Sequence, residues 1–355
     1  MYRLAILIAS ALFLILFLPG CVGLDFSPDG RQLVLTTSKG LTIMNSDGTG
    51  GVPIPQGEKG WMPNWSPDGK RILFVKHDNR DGDLMSYEVR SRRIRKIGGD
   101  YEPLTGWRED GGRFAAIHKR PAGGIEAVQY DVVEGGVAMR VQLPFPSAGP
   151  FKLVWLPNTD DVALMGGTGD NFDVYTVEAG EVKKITTTGD VIGLGISGDG
   201  KKLLWARRSQ NMKYILMTVY AYDLKSRSAV RLPFPDRISV LNPNPSTAPE
   251  KIEMVSFSPD GTKVAIIADN VQSAAGSKTP PRKYQGCYVV RLEGGEGWML
   301  YRSPGAAKNN GIVFPAWTRD GQRIGLLELE DKALKLAIFN SDGTGGRRLF
   351  QEVEP

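Results

Sequence analysis

Three features of the sequence predict an all-β fold, a β-propeller of about seven four-stranded blades. One short turn motif returns seven times, strand-like segments follow each return, and glycine and proline are abundant. The chain has 355 residues, 41% hydrophobic and 23% charged, enough apolar material for a large core. Gly 43 and Pro 23 suit many short strands and tight turns. The net charge of +5 is spread along the chain, which argues against a nucleic-acid partner.

The motif first occurs as Phe26-Ser27-Pro28-Asp29-Gly30-Arg31. It returns as Trp65-Ser66-Pro67-Asp68-Gly69-Lys70 and as Phe257-Ser258-Pro259-Asp260-Gly261-Thr262. Partial copies begin at Trp107, Ile196 and Trp317, and the most degraded copy is Trp155-Leu156-Pro157-Asn158-Thr159-Asp160. The large apolar residue ends a strand and faces a core. Proline presets φ, aspartate bonds its own backbone, and glycine accepts positive φ. Strands such as Arg71–Val75 and Lys263–Ile267 follow, and two more fit in each unit, for example Leu84–Val89 and Arg93–Ile97. A unit of roughly 40–45 residues with four strands is a propeller blade. The expected blades fall near 24–57, 61–98, 103–143, 151–186, 191–232, 252–302 and 313–350, within one domain spanning 21–355.

The leader comes before them. Met1-Tyr2-Arg3 precedes an apolar run from Leu4 to Leu18, which ends at Pro19-Gly20-Cys21. A short apolar run behind one positive charge predicts a signal peptide over 1–20. Leu18-Pro19-Gly20-Cys21 resembles a bacterial lipobox, with Pro19 where that pattern has a small residue. The resemblance implies that Cys21 carries the lipid, palmitate included, and anchors the protein to the membrane surface. Val22 follows the cysteine, and no aspartate stands there. The sorting rule then implies the outer membrane of a bacterial envelope, facing the periplasm.

The seven turns, each followed by a strand and an aspartate-glycine hairpin, resemble the TolB-type propeller repeat, which is related to WD-type repeats. The resemblance covers essentially the whole mature chain. It implies a periplasmic binding partner without active-site chemistry. This chain departs from TolB itself in showing seven repeats rather than six, and no separate N-terminal domain is evident.

Insertions indicate where binding is expected. One runs from Pro233 to Lys251 between blades five and six. A second runs from Asp269 to Gln285 between strands b and c of blade six. With the b–c segment Arg207–Tyr214 of blade five, they place Arg207, Arg208, Lys213, Tyr214, Arg237, Lys278, Arg282, Lys283 and Tyr284 in one sector. A basic, aromatic-bearing surface suits an acidic protein, peptidoglycan or polysaccharide partner.

Other residues point to little chemistry. The only histidines are His77 and His118, so neither a metal site nor a cofactor is expected. Gly195-Ile196-Ser197-Gly198-Asp199 lacks the last glycine of a nucleophile elbow. Asn45-Ser46-Asp47-Gly48-Thr49-Gly50-Gly51 and its twin Asn340–Gly346 read as hairpin turns rather than calcium loops. Cys287 reads as a buried strand thiol. The expectation is therefore a monomeric, non-enzymatic envelope lipoprotein with no catalytic residue, binding its partner through the loop-rich face. The alternative is a propeller enzyme, lyase or hydrolase, or a small-ligand binder, acting in the central channel.

Overall fold

The computed structural model describes residues 23–37, 39–78, 81–145, 150–211, 214–233, 249–272, 282–303, 311–330 and 333–353. The leader and Cys21 lie outside them. The described residues form seven four-stranded antiparallel sheets. Each sheet takes four consecutive strands, labelled a to d outward from the centre. Blade two is typical, with Gly60–Trp65, Arg71–Asp78, Asp81–Glu88 and Arg93–Gly98 in spatial order.

The recurring turn joins strands a and b. In blade one the Ser27 hydroxyl donates to Asp29 Oδ1 at 2.7 Å and accepts the Gln32 N–H at 2.9 Å. Asp29 Oδ1 also accepts the Arg31 N–H at 3.1 Å, and Gly30 has φ 66°. Blade two repeats the set with Ser66 and Asp68, blade five with Ser197 and Asp199, and blade six with Ser258 and Asp260. Blade seven substitutes Thr318 for the serine. The degraded copy in blade four keeps the bend by placing Asn158 at φ 59°, a conformation asparagine tolerates.

Seven apolar cores lie between neighbouring sheets, one per interface. Val34, Ile43, Trp65, Phe74 and Tyr87, for example, fill the gap between blades one and two. The leading tryptophans of the turns pack in these cores, and three of the four also link blades through their ring N–H. Trp107 donates to Asn64 O of blade two, Trp155 to Gly106 O of blade three, and Trp317 to Ser256 O of blade six. Cys287 is fully buried in strand c of blade six, and burial pushes its thiol pKa up, as befits an inert packing residue.

The ring closes by side chains. Among the described residues no strand from one end of the chain completes a sheet at the other. Leu24, Phe26, Leu33 and Leu35 of blade one pack on Leu327, Leu336 and Ile338 of blade seven. Arg323 of blade seven adds a bond to Gly30 O at 2.5 Å and lies 5.9 Å from the Phe26 ring.

Two segments expected as loops begin and end in paired strands. Strands b and c of blade five run Lys202–Asn211 and Tyr214–Asp223, and Arg207 pairs with Thr218. Those of blade six run Lys263–Gln272 and Arg282–Arg291, with Asp269 opposite Gln285 and Gln272 opposite Arg282. Backbone pairing does not need apolar side chains. These ladders continue past the core, where charged residues hide the strand pattern.

Candidate functional site in the central channel

Strands alternate in direction, so the a–b and c–d turns share one face and the b–c and d–a links share the other. Strand a runs along the central channel. On the described inner strands two charged side chains stand out. Asp25 lies in Leu24–Phe26 of blade one, and Lys152 in Pro150–Trp155 of blade four. These blades are three places apart in the ring, so the field each residue feels from the other crosses the channel.

Asp25 Oδ2 accepts the Trp65 N–H at 2.6 Å, which ties the carboxylate to the inner strand of blade two. Burial nevertheless pushes the Asp25 pKa up to about 7, against the opposing pull of the Trp65 and Phe26 N–H groups and of Lys152. Burial likewise lowers the Lys152 pKa, with Asp25 opposing. The Lys152 side chain is still open to water. A group ringed by protein yet wetted is what a channel wall provides. Among the described residues Lys152 has no hydrogen-bond or ion-pair partner. Glu102, on the inner strand of blade three, is taken by Lys119 at 3.4 Å.

The channel has unequal mouths. On the a–b face the turns crowd into a collar. A Cβ on Gly261 would come within 2.5 Å of Ser197 Cα, and one on Gly200 within 2.6 Å of Pro157 Cγ. Arg319, in the turn of blade seven, reaches past blade one to bond Pro67 O of blade two at 3.3 Å, and lies 3.9 Å from Glu109 of blade three. Contacts between non-neighbouring blades place this arm across the mouth.

The residues expected to bind a partner are distributed as follows. Lys213, Arg237 and Lys278 lie outside the described residues. Tyr214, Arg282 and Lys283 are on paired strands, with their backbone alone described. Arg207 is held bidentately by Asp190, at 2.7 and 2.9 Å, and its guanidinium lies 5.5 Å from the Tyr220 ring. Arg208 is half-buried, and its N–H bonds Asp190 O. Tyr284 is buried, with the Arg302 guanidinium 3.9 Å from its ring centre.

The histidines serve packing. His77 packs against Trp61 with the ring centres 4.1 Å apart and the planes tilted by 30°, and burial lowers its pKa. His118 Nδ1 sits 3.0 Å from Glu126 Oε1, and Arg140 also pairs with Glu126. Among the described residues no three His, Cys, Asp or Glu side chains gather as a metal would need. In the twin hairpins, Asp47 and Asp342 each accept the N–H and hydroxyl of a threonine two residues on, which makes them turn residues.

No protein-family model matches the chain, and no curated protein matches it in sequence. Solved structures do. The β-propeller domain of the Trilobed protease from Pyrococcus furiosus, described as having an open velcro topology, is 15% identical. The match covers 94% of this chain and 97% of that one, with TM-score 0.61. An oligogalacturonate lyase in complex with manganese is 14% identical, over 85% of this chain and 84% of that one, with TM-score 0.59. TolB from Acinetobacter baumannii is 15% identical, over 91% of this chain and 61% of that one, with TM-score 0.47. The chain is thus similar to β-propeller proteins, and the likeness is one of fold.

These neighbours overturn the expectation of a non-enzymatic scaffold. The same ring, over nearly the whole chain, occurs in a protease and in a lyase. Few histidines and an incomplete nucleophile elbow bear on metal and serine chemistry alone, and neither bears on a carboxyl and an amine on inner strands.

Proposed function

We propose that this protein is a propeller enzyme, a lyase or hydrolase, that works in its central channel. The observation that carries the reading is the placement of Asp25 and Lys152 on opposite inner strands, each open to the same channel. Both reaction classes need proton transfer at a bound substrate. A carboxyl that changes charge near neutrality is suited to give or take that proton. Lys152 supplies positive charge where negative charge develops. The protease and lyase among the structural neighbours support the choice of class.

The reading is tested in two ways. Carbon-13 NMR of labelled aspartate, with Asp25→Asn for assignment, is expected to show one carboxyl titrating near 7. A value in the ordinary carboxylate range removes the basis of the proposal. The mature protein is also assayed on peptide and oligouronate substrates. Asp25→Asn should lower any turnover found by about 100-fold or more, the usual weight of a general acid or base. Unchanged turnover in this variant refutes the assignment.

We also propose that the protein is exported and anchored through Cys21 to a bacterial envelope membrane. The Leu18–Cys21 pattern supports this. The Cys21→Ser variant should move from the membrane fraction to the soluble fraction. Retention after an alkaline wash would mean that the leader itself is the anchor.

A further inference from the structure

The channel pair has a direction, and the direction suggests a ligand. Lys152 stands three residues before Trp155, the leading residue of its turn, and Asp25 stands one residue before Phe26. These leading residues hold equivalent places in the repeat. Lys152 therefore lies about 7 Å farther than Asp25 from the a–b collar, two residues along a strand. The collar mouth is crowded by the turns and crossed by Arg319. A ligand arriving from the b–c and d–a face meets the ammonium first and the carboxyl deeper in.

The Lys152 ammonium is open to water and unpaired, so it is available to an incoming anion. No carboxylate partner is present among the described residues, and Asp25 lies beyond ion-pair distance. We propose that Lys152 is the anchor for the oxyanion of a small ligand, a carboxylate or a phosphate ester. The ligand enters from the b–c and d–a face, and its neutral portion extends toward Asp25. This rests on the channel reading of the protein's function and specifies the substrate class. It also explains why an unpaired lysine is kept at a position where other blades carry leucine, glycine or methionine (Leu104 in blade three, Gly193 in blade five and Met254 in blade six).

The test is calorimetry on the mature protein with two probes, citrate and inorganic phosphate. At least one should bind saturably, and its affinity should fall about tenfold or more in Lys152→Met, as expected when a charge-assisted contact is lost. Lys152→Arg should retain most of the binding, and Asp25→Asn should tighten it a few-fold by removing an opposing negative charge. Lys201→Met, an exposed lysine of a turn, serves as the control and should bind as the parent does. The probe that binds more tightly identifies the oxyanion. Three results would overturn the proposal: no saturable binding of either probe, equal affinity in Lys152→Met, or an equal loss in Lys201→Met. Binding that depends on Lys152 alongside turnover that survives Asp25→Asn would uphold the anchor and remove Asp25 from the reaction. Loss of turnover in Asp25→Asn without anion binding would do the reverse.

Discussion

The two faces of the ring are built on different rules. On the a–b face, five of the seven turns repeat one hydrogen-bond set, and neighbouring turns touch. On the other face the links vary from tight hairpins to long ladders such as Lys202–Asn211 with Tyr214–Asp223. The first face holds the blades in register and narrows the channel. The second leaves its mouth free to vary. A repeat fold can thus keep its geometry with one set of turns while the other set changes at little cost to stability.

The largest expected effect lies in the collar. Gly261 has φ 63°, and a Cβ there would sit 2.5 Å from Ser197 Cα. Gly261→Ala should cost about 3 kcal/mol, from backbone strain and overpacking together. Gly123, in a b–c turn of blade three, has φ 90° and open space around it. Gly123→Ala should cost only about 1 kcal/mol, from the backbone alone. Equal losses in chemical denaturation would erase the distinction between the faces.

A middle effect is expected where blades four and five are linked on the a–b side. Glu178 is buried and accepts both Arg227 nitrogens at 2.8 Å, with Lys183 at 3.0 Å. The Arg227 guanidinium, followed by Lys183 and Thr176, holds the Glu178 carboxyl down at about 2 despite burial. Arg227→Met should cost about 2 kcal/mol, less than a fully buried pair because Arg227 is half exposed. The folded-state pKa is depressed. The contribution is therefore fully present above the ordinary value of 4.5, and it is lost as pH falls through about 2. The difference between parent and variant, measured by thermal melts from pH 6 down to pH 2, should shrink accordingly. A constant difference would contradict the assignment.

The smallest effect belongs to the variable face. Arg208 has no ion-pair partner among the described residues, and Arg208→Ser should change stability by less than about 0.5 kcal/mol. A loss of 2 kcal/mol or more in a melt would show that this face, too, holds the ring together.

Much of this was legible in the sequence because the turn chemistry is local. Ser27, Pro28, Asp29 and Gly30 determine their bend with bonds made within six residues, so seven copies could be counted from the sequence. The ends of the long hairpins were not legible. Arg207 to Asn211 and Arg282 to Gln285 carry polar side chains on a ladder whose pairing is made by backbone. The channel pair was also missed. Asp25 sits beside Phe26 and reads as part of the turn, and Lys152 reads as one polar residue in a strand. A charged residue on an inner strand otherwise built of apolar and small residues was the available signal.

The sequence by itself determined the repeat, the number of blades, the turns and the apolar residues between sheets, since each depends on neighbours a few positions away. Tertiary structure alone decided that Asp25 and Lys152 stand on inner strands across one ring, that Arg319 crosses the collar, and that Arg207 is bound by Asp190. Closing a ring brings together residues from blades far apart in the chain, and no local pattern records which of them will share the space at its centre.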